Sequence, residues 1–209
     1  MSSETKLSAT VKKINLFNFV SVDGFFAGLN GEIDWFKVAQ NDEEWNNYSH
    51  KQATAGNSTL IFGRTTYEMM KSYWPTSDAI KDNPRMANKV NNSRKIVFSK
   101  TLKSVEDGPN WKNTTVYHEI NPDEIHKLKE KDDNTVGMTI LGSGSIVQQF
   151  SNLDLIDEYS LVIIPIILGA GKSFYENVKR MNLKLIEAKT FKSGIVLLKY
   201  QSVGKDATK

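Results

Sequence analysis

From Ile14 to Phe150, short apolar runs rich in β-branched and aromatic residues alternate with helical patterns, and strands then close the chain. "INLFNFV" (Ile14–Val20), "STLIFG" (Ser58–Gly63), "KIVFS", "TTVYH" and Val136–Leu141 read as strands. Between them, Asp42–Ala55, "RTTYEMMKSYW", Pro122–Lys131 and the segment opening at Ile146, Val147 and Phe150 read as helices. Acidic Asp42, Glu43 and Glu44 suit a first helical turn, as does Pro122. "DEYSLVIIPIIL" reads as one long strand and "LKLIEAKTFKSGIVLLKY" as a β-hairpin, while "KDNPRMANKVNNSRK" reads as a polar surface connection. Strand-then-helix order of this kind predicts an α/β fold: a mixed, mostly parallel central sheet with helices on both faces and a C-terminal β-hairpin.

The totals narrow the function classes. A chain of 209 residues with 39% hydrophobic and 24% charged residues is expected to form one domain with a full core. That domain is placed at residues 11–203, with flexible segments expected at 1–10 and 204–209. The net charge of +3 gives no footprint for nucleic acid. With no cysteine, thiolate metal sites and disulfides are excluded. His50, His118 and His126 lack ligand spacing, so no metal is expected. Neither a signal-like N-terminus nor an apolar run of about 18 residues occurs, which points away from the membrane and to the cytoplasm.

Three strand-to-helix junctions share one chemistry. Gly63-Arg64-Thr65-Thr66 follows "LIF", Ser99-Lys100-Thr101 follows "IVF", and Gly142-Ser143-Gly144-Ser145 follows "TIL". Each is read in two ways. Ser and Thr make ordinary N-caps and Gly makes tight turns. Equally, small residues at a helix N-terminus let a phosphate approach backbone N–H groups, and Arg64 and Lys100 add charge. In a parallel sheet these turns lie on one edge, where ligands bind.

Five stretches in order carry a resemblance: "SVDGFFAG" (Ser21–Gly28), "GRTTYE" (Gly63–Glu68), "FSKTL" (Phe98–Leu102), "LGSGSIVQQF" (Leu141–Phe150) and "LIDEYSLVIIPIILGAGKSFYE" (Leu155–Glu176). Together they resemble the dihydrofolate reductase-like fold, and within it the C-terminal reductase domain of the riboflavin-pathway pyrimidine reductases. The resemblance spans about Lys12 to Val203. It implies an NADPH-dependent reductase, often a homodimer, acting on a planar nitrogen heterocycle of pyrimidine or pterin type, or on a related C=N or C=O compound. By position, it places Gly63, Arg64, Thr65 and Thr66 at the cofactor phosphates and Ser99, Lys100 and Thr101 near the 2′-phosphate. Gly142, Ser143, Gly144 and Ser145 would face the pyrophosphate and nicotinamide. The chain departs from the family at Gly142-Ser143-Gly144, where the riboflavin enzymes tend to have Glu-Gly-Gly, and at Phe25, where they carry a basic residue.

Hydride transfer asks the protein for orientation, water exclusion and a proton source. Asp23 is the candidate acid, because it follows a core strand near the expected nicotinamide edge; an Asx-turn is its structural alternative. Trp35 and Phe36 can wall a planar substrate or serve as core. The alternative to a reductase is a non-catalytic nucleotide- or pterin-binding protein of the same fold.

Overall fold

The computed structural model describes residues 11–131 and 133–203; the flexible ends expected at 1–10 and 204–209 lie outside the described residues. The first half of the chain runs β1 (Lys13–Ser21), β2 (Phe25–Ala27), α1 (Lys37–Gln40), α2 (Glu43–Thr54), β3 (Ser58–Gly63), α3 (Arg64–Tyr73), α4 (Ser77–Asp82), α5 (Pro84–Asn92) and β4 (Lys95–Phe98). It continues through β5 (Thr114–Tyr117), α6 (Pro122–Glu130), β6 (Gly137–Leu141), α7 (Gly144–Asn152), β7 (Glu158–Ile164) and β8 (Lys172–Ser173), then closes with β9 (Leu183–Thr190) and β10 (Val196–Ser202).

Eight strands form one sheet in the order β5-β4-β3-β6-β1-β7-β10-β9, and β2 pairs with β8 beside it. From β5 to β7 every neighbour is parallel, while β10 runs antiparallel to both β7 and β9. The fold is therefore the mixed, mostly parallel α/β sheet with a C-terminal hairpin that the element order predicts.

Alternation along β1 explains its central place. Ile14 and Leu16 point into one apolar cluster, with Ile61, Ile140, Ile125 of α6 and Val147 and Phe150 of α7. Phe17 and Phe19 point to the other face, where α2 brings Trp45 against Val162, Ile164 and Leu197. On that same face, α3 and α5 bring Tyr67 and Val90 onto Leu60, Phe62 and Val97. Period-two side chains thus serve both layers of helices.

Two expectations are corrected. The polar stretch read as a surface connection contains α5, with Pro84 in the first turn and the Asn83 side chain accepting from Met86 N–H at 3.3 Å. Its buried Ala87, Val90 and Asn91 recur at i, i+3 and i+4, a narrow stripe that the surrounding polar residues obscure. The long strand after Asp157 stops at Ile164, because Pro165 has no N–H to continue a ladder.

Candidate active site

β3 and β6 are adjacent parallel strands, so the N-termini of α3 and α7 emerge side by side from the same sheet edge. Ser143 joins them. Its hydroxyl oxygen accepts the Gly63 N–H at 2.7 Å and donates to Thr66 Oγ1 at 2.9 Å. Gly142 and Ser143 both take left-handed conformations, at φ 57° and 63°. That sharp double turn is why a glycine stands at 142, where a Cβ would also lie 2.9 Å from Thr66. Asn18 of β1 fixes the turn from beneath: its Oδ1 accepts the Gly142 N–H at 3.0 Å. The buried Asn18 Nδ2 has no hydrogen-bond partner among the described residues.

Capping separates these two from the other helices longer than the four-residue α1, which also lacks a side-chain cap. The side chains of Asp42, Thr76, Asn83 and Asn121 cap α2, α4, α5 and α6, whereas α3 and α7 carry no side-chain cap. Their first N–H groups, at Arg64, Thr65, Gly144 and Ser145, remain at the ends of two helix dipoles, an arrangement that attracts anions. Gly144 sits against an aromatic stack: a Cβ there would lie 3.0 Å from the Phe26 ring, which stacks on Phe174 at 4.1 Å.

The third turn joins the first through Arg64. Its Nη1 donates to Thr101 Oγ1 at 2.9 Å and its Nε to Glu68 at 2.7 Å. Ser99 shapes its own turn, since its hydroxyl oxygen accepts from the N–H groups of Thr101 and Leu102 at 3.3 and 3.0 Å. The residues of all three turns are therefore brought to one edge. The hydroxyls of Ser143, Thr66, Ser99 and Thr101 are engaged in holding the turns together, and the exposed Lys100 stands beside them.

Asp23 makes a loop-stabilising contact, the kind of role that its structural alternative describes. Its carboxylate accepts from Leu168 and Gly169 N–H at 3.2 and 2.7 Å, tying the loop after β1 to the loop after β7. The Ser21 hydroxyl above all, with those two N–H groups, holds the Asp23 carboxyl below its usual range. Both carboxylate oxygens are thus engaged in the contact between the two loops. Asp42 is likewise occupied, capping α2 at Trp45 N–H and accepting Ser193 N–H at 3.0 Å.

Trp35 is buried in the second cluster with its indole N–H donating to Glu32 O, so it is core; Phe36 beside it is half-buried. Phe36 lies 4.7 Å from Phe19 between ring centroids, and the β1–β6 register sets Phe17 next to Leu141. These half-buried side chains form an apolar seam between the second and third clusters, beside the turn carrying Ser143. Phe17, Phe19 and Leu141 are not singled out by motif reading. The alternation within "INLFNFV" is the signal that could have found them.

Among the described residues no group of His, Asp or Glu is placed to hold a metal ion, and no helix is long and apolar enough to cross a membrane. An open concavity of 420 Å³ lies elsewhere, between Tyr117 and the outer side of α6, lined also by Glu124, Lys127, Leu128, Glu130 and Lys131. Its solvated charges of both signs select no ligand class, and it shares no residue with the three turns.

The family profile described as the RibD C-terminal domain matches residues 12–197. The Bacillus subtilis (strain 168) uncharacterized protein YyaP is 30% identical over 190 residues, covering 90% of this chain and 94% of YyaP. A Shewanella sp. PV-4 crystal structure, named for a proposed place in riboflavin biosynthesis, superposes with a TM-score of 0.70 at 21% identity, covering 91% of this chain and 99% of that one. Enterococcus faecalis dihydrofolate reductase, solved with NADP(H), superposes at a TM-score of 0.57 and 14% identity, over 91% of this chain and 96% of its own. At these identities the two structures speak to the fold alone.

Proposed function

We propose, since the chain belongs to the RibD C-terminal domain family, that it is an NADPH-dependent reductase of a planar nitrogen heterocycle or a related C=N or C=O compound. The observation that carries this reading is the pair of uncapped helix N-termini at α3 and α7, fastened side by side by Ser143. The residues present fit a dinucleotide. N–H groups of Gly144 and Ser145 would hold the pyrophosphate, those of Arg64 and Thr65 a neighbouring phosphate, and Arg64 and Lys100 the 2′-phosphate. NADPH, when bound, supplies the hydride.

The chain's own part is orientation and exclusion of water. Phe17, Phe19 and Phe36 offer aromatic faces to a flat ring, and Leu141 closes the seam toward the Ser143 turn. Asp23 holds the Leu168–Gly169 loop over the strand ends and takes a positioning role.

The test is a titration of the wild type, Arg64→Ala and Lys100→Ala with NADPH and NADH, followed by tryptophan quenching. A charge-assisted hydrogen bond is worth about 1.5–3 kcal/mol, hence about a tenfold to hundredfold preference for NADPH, and each variant should reduce it. Equal wild-type affinity for the two cofactors removes the 2′-phosphate assignment. Oxidation of NADPH is then followed across a heterocycle panel. Binding without turnover across that panel supports the non-catalytic alternative.

A further inference from the structure

Arg64 is not a free cation. Its Nε donates to Glu68 Oε1 at 2.7 Å, one helical turn along α3, and its Nη1 to Thr101 Oγ1 at 2.9 Å. Two of the five guanidinium N–H donors are thus engaged by side chains, and one of the two partners is an anion. Both members of the ion pair are about half exposed, at 50% and 51% of their side-chain surface, so a ligand can reach the pair. Thr101 lies 37 positions away in the chain, which means the guanidinium bridges two of the candidate cofactor turns.

Resting on the reading proposed above, we infer that Glu68 sets how strongly this protein distinguishes a 2′-phosphorylated dinucleotide from one without that phosphate. The phosphate dianion and the Glu68 carboxylate compete for one guanidinium. The carboxylate occupies Nε, half of the side-on edge through which Arg grips an oxyanion in bidentate fashion. A phosphate approaching Arg64 must displace Glu68 or bind by another edge while a negative charge stays close. Either route costs affinity that a cofactor without the 2′-phosphate never loses. Glu68 therefore moderates the preference that Arg64 creates, and it does so without touching the reacting atoms.

Glu68→Gln isolates the effect, because the amide oxygen can still accept from Nε while the charge is gone. Exposed ion pairs are worth about 0.2–1 kcal/mol, so NADPH should bind up to about fivefold tighter with NADH unchanged. The gain should shrink as salt is raised. Wild type, Glu68→Gln and Arg64→Ala are titrated with both cofactors, and circular dichroism melts check that each variant is folded. If the wild type prefers NADPH, Arg64→Ala abolishes that preference, and Glu68→Gln leaves the ratio unchanged or lowers it, the role of Glu68 is overturned while the reductase reading stands. If the wild type shows no preference at all, the reading of the 2′-phosphate site fails and the role of Glu68 falls with it.

Discussion

Ser143 and Gly63, 80 positions apart, are joined by a 2.7 Å hydrogen bond from the Gly63 N–H to the Ser143 hydroxyl oxygen. That contact, with the Ser143 hydroxyl's hydrogen bond to Thr66 Oγ1, fastens the turn after β6 to the turn after β3 and sets the spacing of two helix N-termini.

Removing the Ser143 hydroxyl should therefore loosen the site as well as the fold. Ser143→Ala leaves the Gly63 N–H without its acceptor, at a cost of about 1–3 kcal/mol. Ser143→Gly loses the same bond but relieves the left-handed backbone at φ 63°, so it should be about 1 kcal/mol more stable than the alanine variant. Urea midpoints read the difference. NADPH and NADH affinity should fall together in both variants, and unchanged affinity in both would break the link between the staple and the site.

Gly144→Val is expected to weaken NADPH and NADH alike. A Cβ at 144 lies 3.0 Å from the Phe26 ring, which is backed by Phe174, so the α7 N-terminus must shift away from the position its N–H groups now hold. Titration of both cofactors checks this. A loss confined to NADPH would mean that the turn serves the 2′-phosphate instead of the shared pyrophosphate.

A dimer should form through the C-terminal hairpin. Leu183 and Leu185 of β9 are exposed, Leu185 at 52%, and the register sets Leu185 opposite half-buried Tyr200 of β10. An apolar strip on an outer strand invites a partner surface. Light scattering at micromolar concentration should give twice the chain mass, and Leu185→Lys should give the monomer. A monomeric wild type refutes the expectation.

Acid should destabilise the protein at the sheet edge opposite the site. Burial works against the charge of Asp133, but hydrogen bonds from Lys12 and Thr135, with the Lys12 charge, prevail and hold its carboxyl well below the usual range. Arg94 also donates to it. A carboxylate with a depressed folded pKa adds stability that is complete above its unfolded value, about 3.9, and is lost as pH falls below it. Asp133→Asn should lower the melting temperature at pH 7, flatten the decline below about pH 4, and leave NADPH affinity unaltered. An equally steep acid decline in the variant would assign the effect to other groups.

Much of the architecture is legible in sequence because side-chain period reports local geometry. β3 has the expected bounds Ser58–Gly63, β4 ends one residue before the close of "KIVFS", and β1 extends its expected span by a residue at each end. The Gly and hydroxyl residues after β3 and β6 do mark the turns that matter. α5 escapes notice because three buried positions among polar neighbours make too faint a stripe, and Phe17 looks like ordinary core until the register places it beside Leu141.

Local chemistry thus decides which segments are strands, helices and turns, since backbone sterics and side-chain period act over a few neighbouring residues. Partners are decided only when distant segments meet. Lys95 looks like a surface cation in the sequence, yet it is fully buried, donating to the carbonyls of Asn91, Ser93 and Lys112 and lying 4.3 Å from the Trp111 ring centroid. Asp23 looks like an acid awaiting a substrate, and only the fold shows that its carboxylate also fastens the loop after β7. Whether a hydroxyl, amine or carboxylate is spent on structure or left for a ligand depends on the donors and acceptors around it, and the tertiary fold alone brings those together.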